Sequence, residues 1–472
     1  MNDEAKFLKM TTAPLERLII SLAIPTILIM LVTALYNSAD MYFVGKLGNS
    51  ATAAVGISLS IMAIIQATGF FFGQGAGNYV SRALGAKRIK DAEQMAATGF
   101  FLAFAGGLLI SILGTIFIKP LSLALGATET SLEYTVDYIR YILIAAPFMV
   151  SSTMLNNLLR FQGSAVFSAI GMISGAVLNV ALDPLFISVF GWGVAGAAIA
   201  TAFSQFVAFL LLLSGCQRKG NVRISIKNFK LTRARFFEIF KGGLPSLLRQ
   251  ALMSIATIAL NNSAKPYGDA VIAAVAVVNR IVMMANSTML GLGQGFQPVC
   301  GFNYGAGRYD RVKKGFRFCV TISAILLVIC GAFLFAFAPS VISFFRDDPD
   351  VIAIGTPILR VSACIMPCMS WIVLSNTTLQ TTGQALPASI LSFARQGFFQ
   401  IPFILIAVPL LGVRGIQMAN PIADFCTFLL SVPFGISIMR RMSTNPQLDI
   451  GSAEEQMAEA ARLVEVAEMN AD

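Results

Sequence analysis

Apolar stretches of about twenty residues or more recur from one end of this chain to the other, each long enough to cross a bilayer as a helix. A backbone inside hydrocarbon finds no water, and a helix satisfies its N–H and C=O groups within the segment. The pattern predicts an all-α polytopic membrane protein. Charge agrees, since Asp, Glu, Lys and Arg make up 12% of the 472 residues, about half the share of a water-soluble domain. About twelve helices are expected, over 15–43, 51–80, 95–118, 133–158, 164–189, 194–215, 236–263, 270–299, 316–339, 353–380, 384–409 and 415–438.

The net charge of +10 could suit nucleic acid, but the basic residues lie between the apolar runs. Arg218, Lys219, Arg223, Lys227, Lys230, Arg233, Arg235 and Lys241 share one connector with a single acid, Glu238. Arg82, Lys87, Arg88 and Lys90 form a second group, and Arg308, Arg311, Lys313, Lys314 and Arg317 a third. Loops rich in Lys and Arg stay in the cytoplasm. Counting helices from a cytoplasmic start puts all three groups inside and the acidic stretch Arg346–Asp350 outside. A multi-pass protein of the cell (inner) membrane is expected, with both termini cytoplasmic. Its segments are a cytoplasmic N-terminus at 1–14, lobes at 15–215 and 236–441 joined by a basic linker at 216–235, and an acidic tail at 442–472. The tail's Ala-rich stretch permits a short amphipathic helix. The polar start to Arg17 and the length of the first apolar run predict an uncleaved anchor. Lipid is the expected surrounding, nucleic acid is not an expected partner, and a monomer is expected.

Seven cysteines, six of them in or beside apolar runs, argue against a disulfide framework. With no histidine in the chain, neither a metal centre nor an enzyme's nucleophile–base pair is expected.

The chain is duplicated. Leu35-Tyr36-Asn37-Ser38-Ala39-Asp40-Met41-Tyr42 returns as Leu260-Asn261-Asn262-Ser263-Ala264-Lys265-Pro266-Tyr267, with Lys265 in the place of Asp40. Gly73-Gln74-Gly75 matches Gly293-Gln294-Gly295, Gly85-Ala86 matches Gly305-Ala306, and Pro25 matches Pro245, all 220 residues apart. Six helices precede the basic linker, so both copies face the same way. Such parallel repeats, related by an axis along the membrane normal, are a known layout of secondary transporters.

An isolated Asp at mid-membrane costs at least ~2.5–3.5 kcal/mol and marks a functional candidate. Asp40 meets that description in the first helix. Tyr36 and Asn37 stand one turn away. Asn179 and Asp183 are four apart, so they share one face of the fifth helix. Pro184 has no N–H and frees the carbonyl of Val180. Carboxylate, amide oxygen and freed carbonyl are hard ligands suited to a monovalent cation. The plainer reading of Asp183 is a hydrogen bond at a helix end. Pro25 is either a fixed kink or a hinge. In the second half Ile401 stands where Asp183 falls, and Arg249, Arg280, Arg395 and Asp424 lie within helices. Asp424 reads most simply as an ion pair with one of those arginines.

These residues resemble the multidrug and toxic compound extrusion (MATE) family, over about Leu15 to Arg441. The resemblance rests on Pro25 with Asp40, on Gly73-Gln74-Gly75 with Ser81-Arg82 and Gly85-Ala86, and on Asn179 to Pro184 followed by Gly191-Trp192-Gly193-Val194-Ala195-Gly196. It is closest to the branch with the acid pair in the N-terminal lobe. It implies two six-helix lobes forming a V around a central cavity. It also implies a cation and proton site at positions matching Asp40, Asn179, Asp183 and Thr201, with Tyr138 and Asn156 nearby. Where some members carry a further acid in the seventh helix, Met253 lies here.

The expected function is an antiporter that exports organic, cationic or amphipathic drugs and toxins in exchange for H⁺ or Na⁺. No cofactor is expected beyond that coupling ion, and no metal beyond Na⁺. The alternative is a flippase of lipid-linked oligosaccharides, a related fold with a cationic cavity, favoured by Arg249, Arg280 and Arg395.

Overall fold

A computed structural model describes residues 3–45 and 47–444, except for the side chains of Asp3, Ala34, 37–42, Asn49, Ser443 and Thr444. The acidic tail from 445 onward falls outside the described residues. No strand occurs among those that are described.

The first half runs through α1 (Asp3–Thr12), α2 (Leu15–Gly45), α3 (Asn49–Gly85), α4 (Ile89–Ile116), α5 (Ile118–Ala124), α6 (Leu132–Phe161), α7 (Ala165–Pro184) and α8 (Gly193–Cys216). The second runs through α9 (Arg233–Ala264), α10 (Asp269–Gly305), α11 (Tyr309–Ala336), α12 (Ala338–Phe345), α13 (Pro349–Ile365), α14 (Cys368–Thr381), α15 (Ala385–Phe393), α16 (Ile401–Leu411) and α17 (Val413–Thr444). Among the described residues eleven helices or helix runs are long and apolar enough to cross a membrane, and the bent pair α13–α14 makes a twelfth.

That pair corrects the single helix expected over 353–380. The chain turns by 56° between Ile365 and Cys368, where Pro367 supplies no N–H and crowds the carbonyl a turn earlier. Pro147 holds the matching place in α6, which stays continuous. The short helices α5 and α12 were not expected and sit at matching places in the two repeats.

Backbone landmarks fix the repeat register. Gly48 and Gly268 take positive φ ahead of α3 and α10, and Lys87 and Gly307 take positive φ just after them. Gly85-Ala86 and Gly305-Ala306 close α3 and α10. Lys87 adopts φ 56, a left-handed conformation that costs a side chain something and that glycine takes freely in the second copy. In this register Asp40 answers Leu260, and Lys265 answers Gly45. The octapeptide match is therefore five residues out of register. Both segments are small, polar endings of a repeat's first helix, alike in composition without aligning.

Contacts divide the helices into two units. Among the described residues one holds those up to Ala13 and Ile24–Gly243, the other Pro14–Ala23 and those from Leu244 to Thr444. The first helix of each repeat thus changes unit beside its proline, Pro25 or Pro245. In the first unit α6 is the central helix, packed against α3, α4, α7 and α8. The glycines of α3 permit close packing there. A Cβ at Gly75 would lie 2.3 Å from the Ile239 carbonyl oxygen, and one at Gly77 would lie 2.2 Å from the Phe161 ring.

The polar start, expected only as a cytoplasmic segment, forms α1, and the basic linker is docked rather than loose. Lys6 is buried and donates to Ser164 Oγ at 2.9 Å, the Gly220 carbonyl at 2.9 Å and Asn221 Oδ1 at 2.6 Å. The Val222 N–H donates to Gln162 Oε1 at 2.7 Å. Farther along, Lys230 exchanges two hydrogen bonds with Thr98 Oγ1, at 3.2 and 3.3 Å. Asn228 donates to Glu93 Oε2 at 3.3 Å, and Phe229 meets the edge of Phe101.

Candidate functional site

The first unit holds a polar group between α7 and α8. The two helices run antiparallel and close together because glycines line the seam. A Cβ at Gly175 would lie 2.8 Å from that of Ala208, and one at Gly196 would lie 2.7 Å from the Phe186 carbonyl oxygen. That approach brings Asn179 of α7 level with Thr201 of α8. The Asn179 amide donates to Asp183 Oδ1 at 3.3 Å and to Thr201 Oγ1 at 3.2 Å. Asp183 is fully buried, and Asn179 and Thr201 are each 3% exposed.

With both donations made by its nitrogen, Asn179 turns Oδ1 into the interior, where it has no hydrogen-bond partner among the described residues. A buried amide oxygen left so is uncommon and calls for a reason, such as an ion. Ser204 Oγ, one turn beyond Thr201 on α8, is likewise buried without a partner among the described residues. Reading the sequence missed Ser204, because a serine in an apolar helix more often bonds a carbonyl of the preceding turn. Below Pro184 the helix widens into a π turn over Leu185–Val189, a departure often found at functional positions. Carboxylate, amide oxygen and hydroxyl form an all-oxygen donor set, which fits Na⁺ and fits a proton held on Asp183.

The other expected residues lie on α2 and α6. Asp40 and Asn37 lie in α2, and their side chains are outside the described residues. Tyr36 is half-buried on the same helix. Tyr138 is fully buried on α6. Asn156 accepts a hydrogen bond from Ser168. Eleven residues of α7 separate Ser168 from Asn179, about 16 Å of helix, so Asn156 ties α6 to α7 well away from Asp183.

In the second unit Arg395 and Asp424 form a two-point ion pair. Arg395 Nε donates to Asp424 Oδ1 at 2.5 Å, and Nη2 donates to Oδ2 at 3.3 Å. Arg395 belongs to a second π segment, Ala394–Gln400. Beside it Asn420 accepts from Gln400 and donates to Asn279 Oδ1 at 2.9 Å, a chain of neutral amides. Arg249 is half-buried on α9, and Arg280 is exposed on α10. Lys265 is exposed at the end of α9. Sixteen residues of chain, about 24 Å as helix, separate Lys265 from Arg249. Lys265 thus stands apart from Arg249. No group of three or more Cys, Asp or Glu side chains suited to a metal occurs among the described residues.

Comparison with known proteins agrees with this arrangement of helices. The MatE family model matches residues 25–185 and 245–406, once in each repeat. The multidrug export protein MepA of Staphylococcus haemolyticus is 30% identical over 410 residues, 86% of this chain and 90% of that protein. MepA of Staphylococcus aureus (strain MSSA476) is 29% identical over 414 residues, 87% of this chain and 91% of that protein. A crystal structure of MATE in the bent conformation matches with a TM-score of 0.87 at 27% identity, over 93% of this chain and 98% of that one. An outward-facing multidrug resistance MATE family transporter matches with a TM-score of 0.86 at 27% identity, over 93% and 99%. The chain belongs to the MatE family of multi-pass membrane transporters, one copy of the family's unit lying in each of its repeats.

Proposed function

We propose that the chain is a secondary antiporter that exports organic, cationic or amphipathic compounds in exchange for H⁺ or Na⁺. The observation that carries this reading is the buried Asn179–Asp183–Thr201 group, which places a carboxylate and an unpartnered amide oxygen inside an apolar unit. A proton or Na⁺ at Asp183 cancels its charge, so ion binding and retention of an organic cation oppose each other. Asp40 shares the work in this reading, and Pro25 and Pro184 let α2 and α7 bend as charge is lost. The relatives' role in multidrug export supports the substrate class. The flippase reading weakens because Asp424 neutralises Arg395. The test is efflux of a fluorescent organic cation from proteoliposomes under an imposed Na⁺ or pH gradient. Efflux driven by either gradient is expected, and efflux indifferent to both would overturn the reading.

We also propose that the linker and both termini are cytoplasmic. In a variant lacking native cysteines, Asp347→Cys should label strongly with an impermeant maleimide in intact cells, and Lys227→Cys weakly. The reverse pattern would invert the topology.

A further inference from the structure

The connector between α8 and α9 has chemistry that transport does not use. From Gln217 to Phe237 it contains seven Lys or Arg and no acid. Its packing turns part of that charge outward. Arg235 is occupied with Gln94 and Asp91 of α4. Arg223, Lys227, Lys230 and Arg233 are exposed, and among the described residues none of the four has an ion pair. Apolar side chains stand between them, with Ile226 74% and Leu231 54% exposed. Aliphatic groups interleaved with basic ones suit a bilayer surface, where the first meet acyl chains and the second meet headgroups.

The docking contacts decide where this face lies. Lys230 is held at Thr98, nine residues along α4 from its start, about 14 Å of helix. Phe229 rests on Phe101, three residues farther. The connector therefore folds back along a membrane span instead of standing off into water. The turn Ile226–Asn228 that presents Ile226 is pinned by Asn228 to Glu93. The basic and apolar side chains are thus offered from a fixed backbone.

We propose that this face is a binding site for an anionic phospholipid, with Lys227, Lys230 and Arg233 around the headgroup phosphate and Ile226 and Leu231 against the acyl chains. A predominantly positive surface selects an anion, and the interleaved aliphatic groups select an amphiphile over a soluble anion. Attachment along α4 selects a lipid over an acidic protein. The site depends on the proposed topology only for which leaflet it meets, and its readout is binding, so it fails or stands independently of the efflux assay.

The experiment is native mass spectrometry of the purified full chain taken from mixed phosphatidylcholine and phosphatidylglycerol micelles. Wild type should retain phosphatidylglycerol preferentially. Lys227→Gln/Lys230→Gln/Arg233→Gln should weaken retention about fivefold per charge, roughly a hundredfold in all. Lys227→Arg/Lys230→Arg keeps the charge and should retain the lipid, which also controls for folding. Lys90→Gln/Lys314→Gln/Arg317→Gln removes equal charge from the starts of α4 and α11 and should leave retention near wild type. Ile226→Ser/Leu231→Ser should lower lipid retention with every charge in place. Equal losses in the two triple variants, or no loss in the first, would overturn the site.

Discussion

Asp183→Asn is expected to abolish gradient-driven efflux while leaving the protein folded. The carboxylate is fully buried beside Asn179 and Thr201. The substitution preserves its size and leaves an oxygen that can still accept from the Asn179 amide. What disappears is the negative charge and the ability to take up a proton. One elementary charge crossing 100 mV carries about 2.3 kcal/mol, enough to sustain roughly a fifty-fold gradient of a neutral substrate. Without a group to carry the ion, that ratio should fall toward one, and only downhill leak should persist. The measurement is dye accumulation in proteoliposomes under matched pH and Na⁺ gradients, alongside the thermal midpoint in detergent. A variant that still builds a steep gradient would move coupling off Asp183. Loss of efflux with a collapsed midpoint would make Asp183 a structural residue.

The distance between Asn179 and Asp183 was readable because a helix fixes which residues share a face, whatever the fold around it. Thr201 was not readable from periodicity, since its place depends on how α8 crosses α7, and only the family resemblance pointed to it. Ser204 had no signal at all until the glycine-lined seam showed which side of α8 faces Asn179. Proline shows the limit of local rules. Pro147 and Pro367 hold the same place in the repeat, yet one helix continues and the other breaks by 56°. Removing one N–H sets a local cost, and packing around the helix decides whether it breaks. The octapeptide match misled for a related reason, because two helix ends drawn from the same few small residues can score alike in the wrong register. The role of α1 lay in Lys6, whose three acceptors come from segments 158 to 215 residues away. No local pattern could announce that.

Asp424→Asn should destabilise the second unit without uncoupling transport. The pair is bidentate, and its side chains keep only 32% and 14% of their exposure, for Arg395 and Asp424 respectively. Removing one partner of a buried pair costs about 3–5 kcal/mol, because the remaining charge stays desolvated. Exposed pairs contribute below about 1 kcal/mol. A pair that keeps some exposure falls between, so a loss of about 1–3 kcal/mol is expected, visible as a lower thermal midpoint. The size of the effect should depend on Arg395 remaining behind. Arg395→Gln/Asp424→Asn removes both charges and should recover much of the midpoint, giving a favourable coupling term in the double-mutant cycle. Gradient-driven efflux per folded molecule should stay near wild type in both variants, since in this reading the ion is carried in the first unit. The opposite pattern, an unchanged midpoint with efflux lost in Asp424→Asn alone, would make Asp424 an ion carrier held in reserve by Arg395. Coupling would then have to be sought in both repeats.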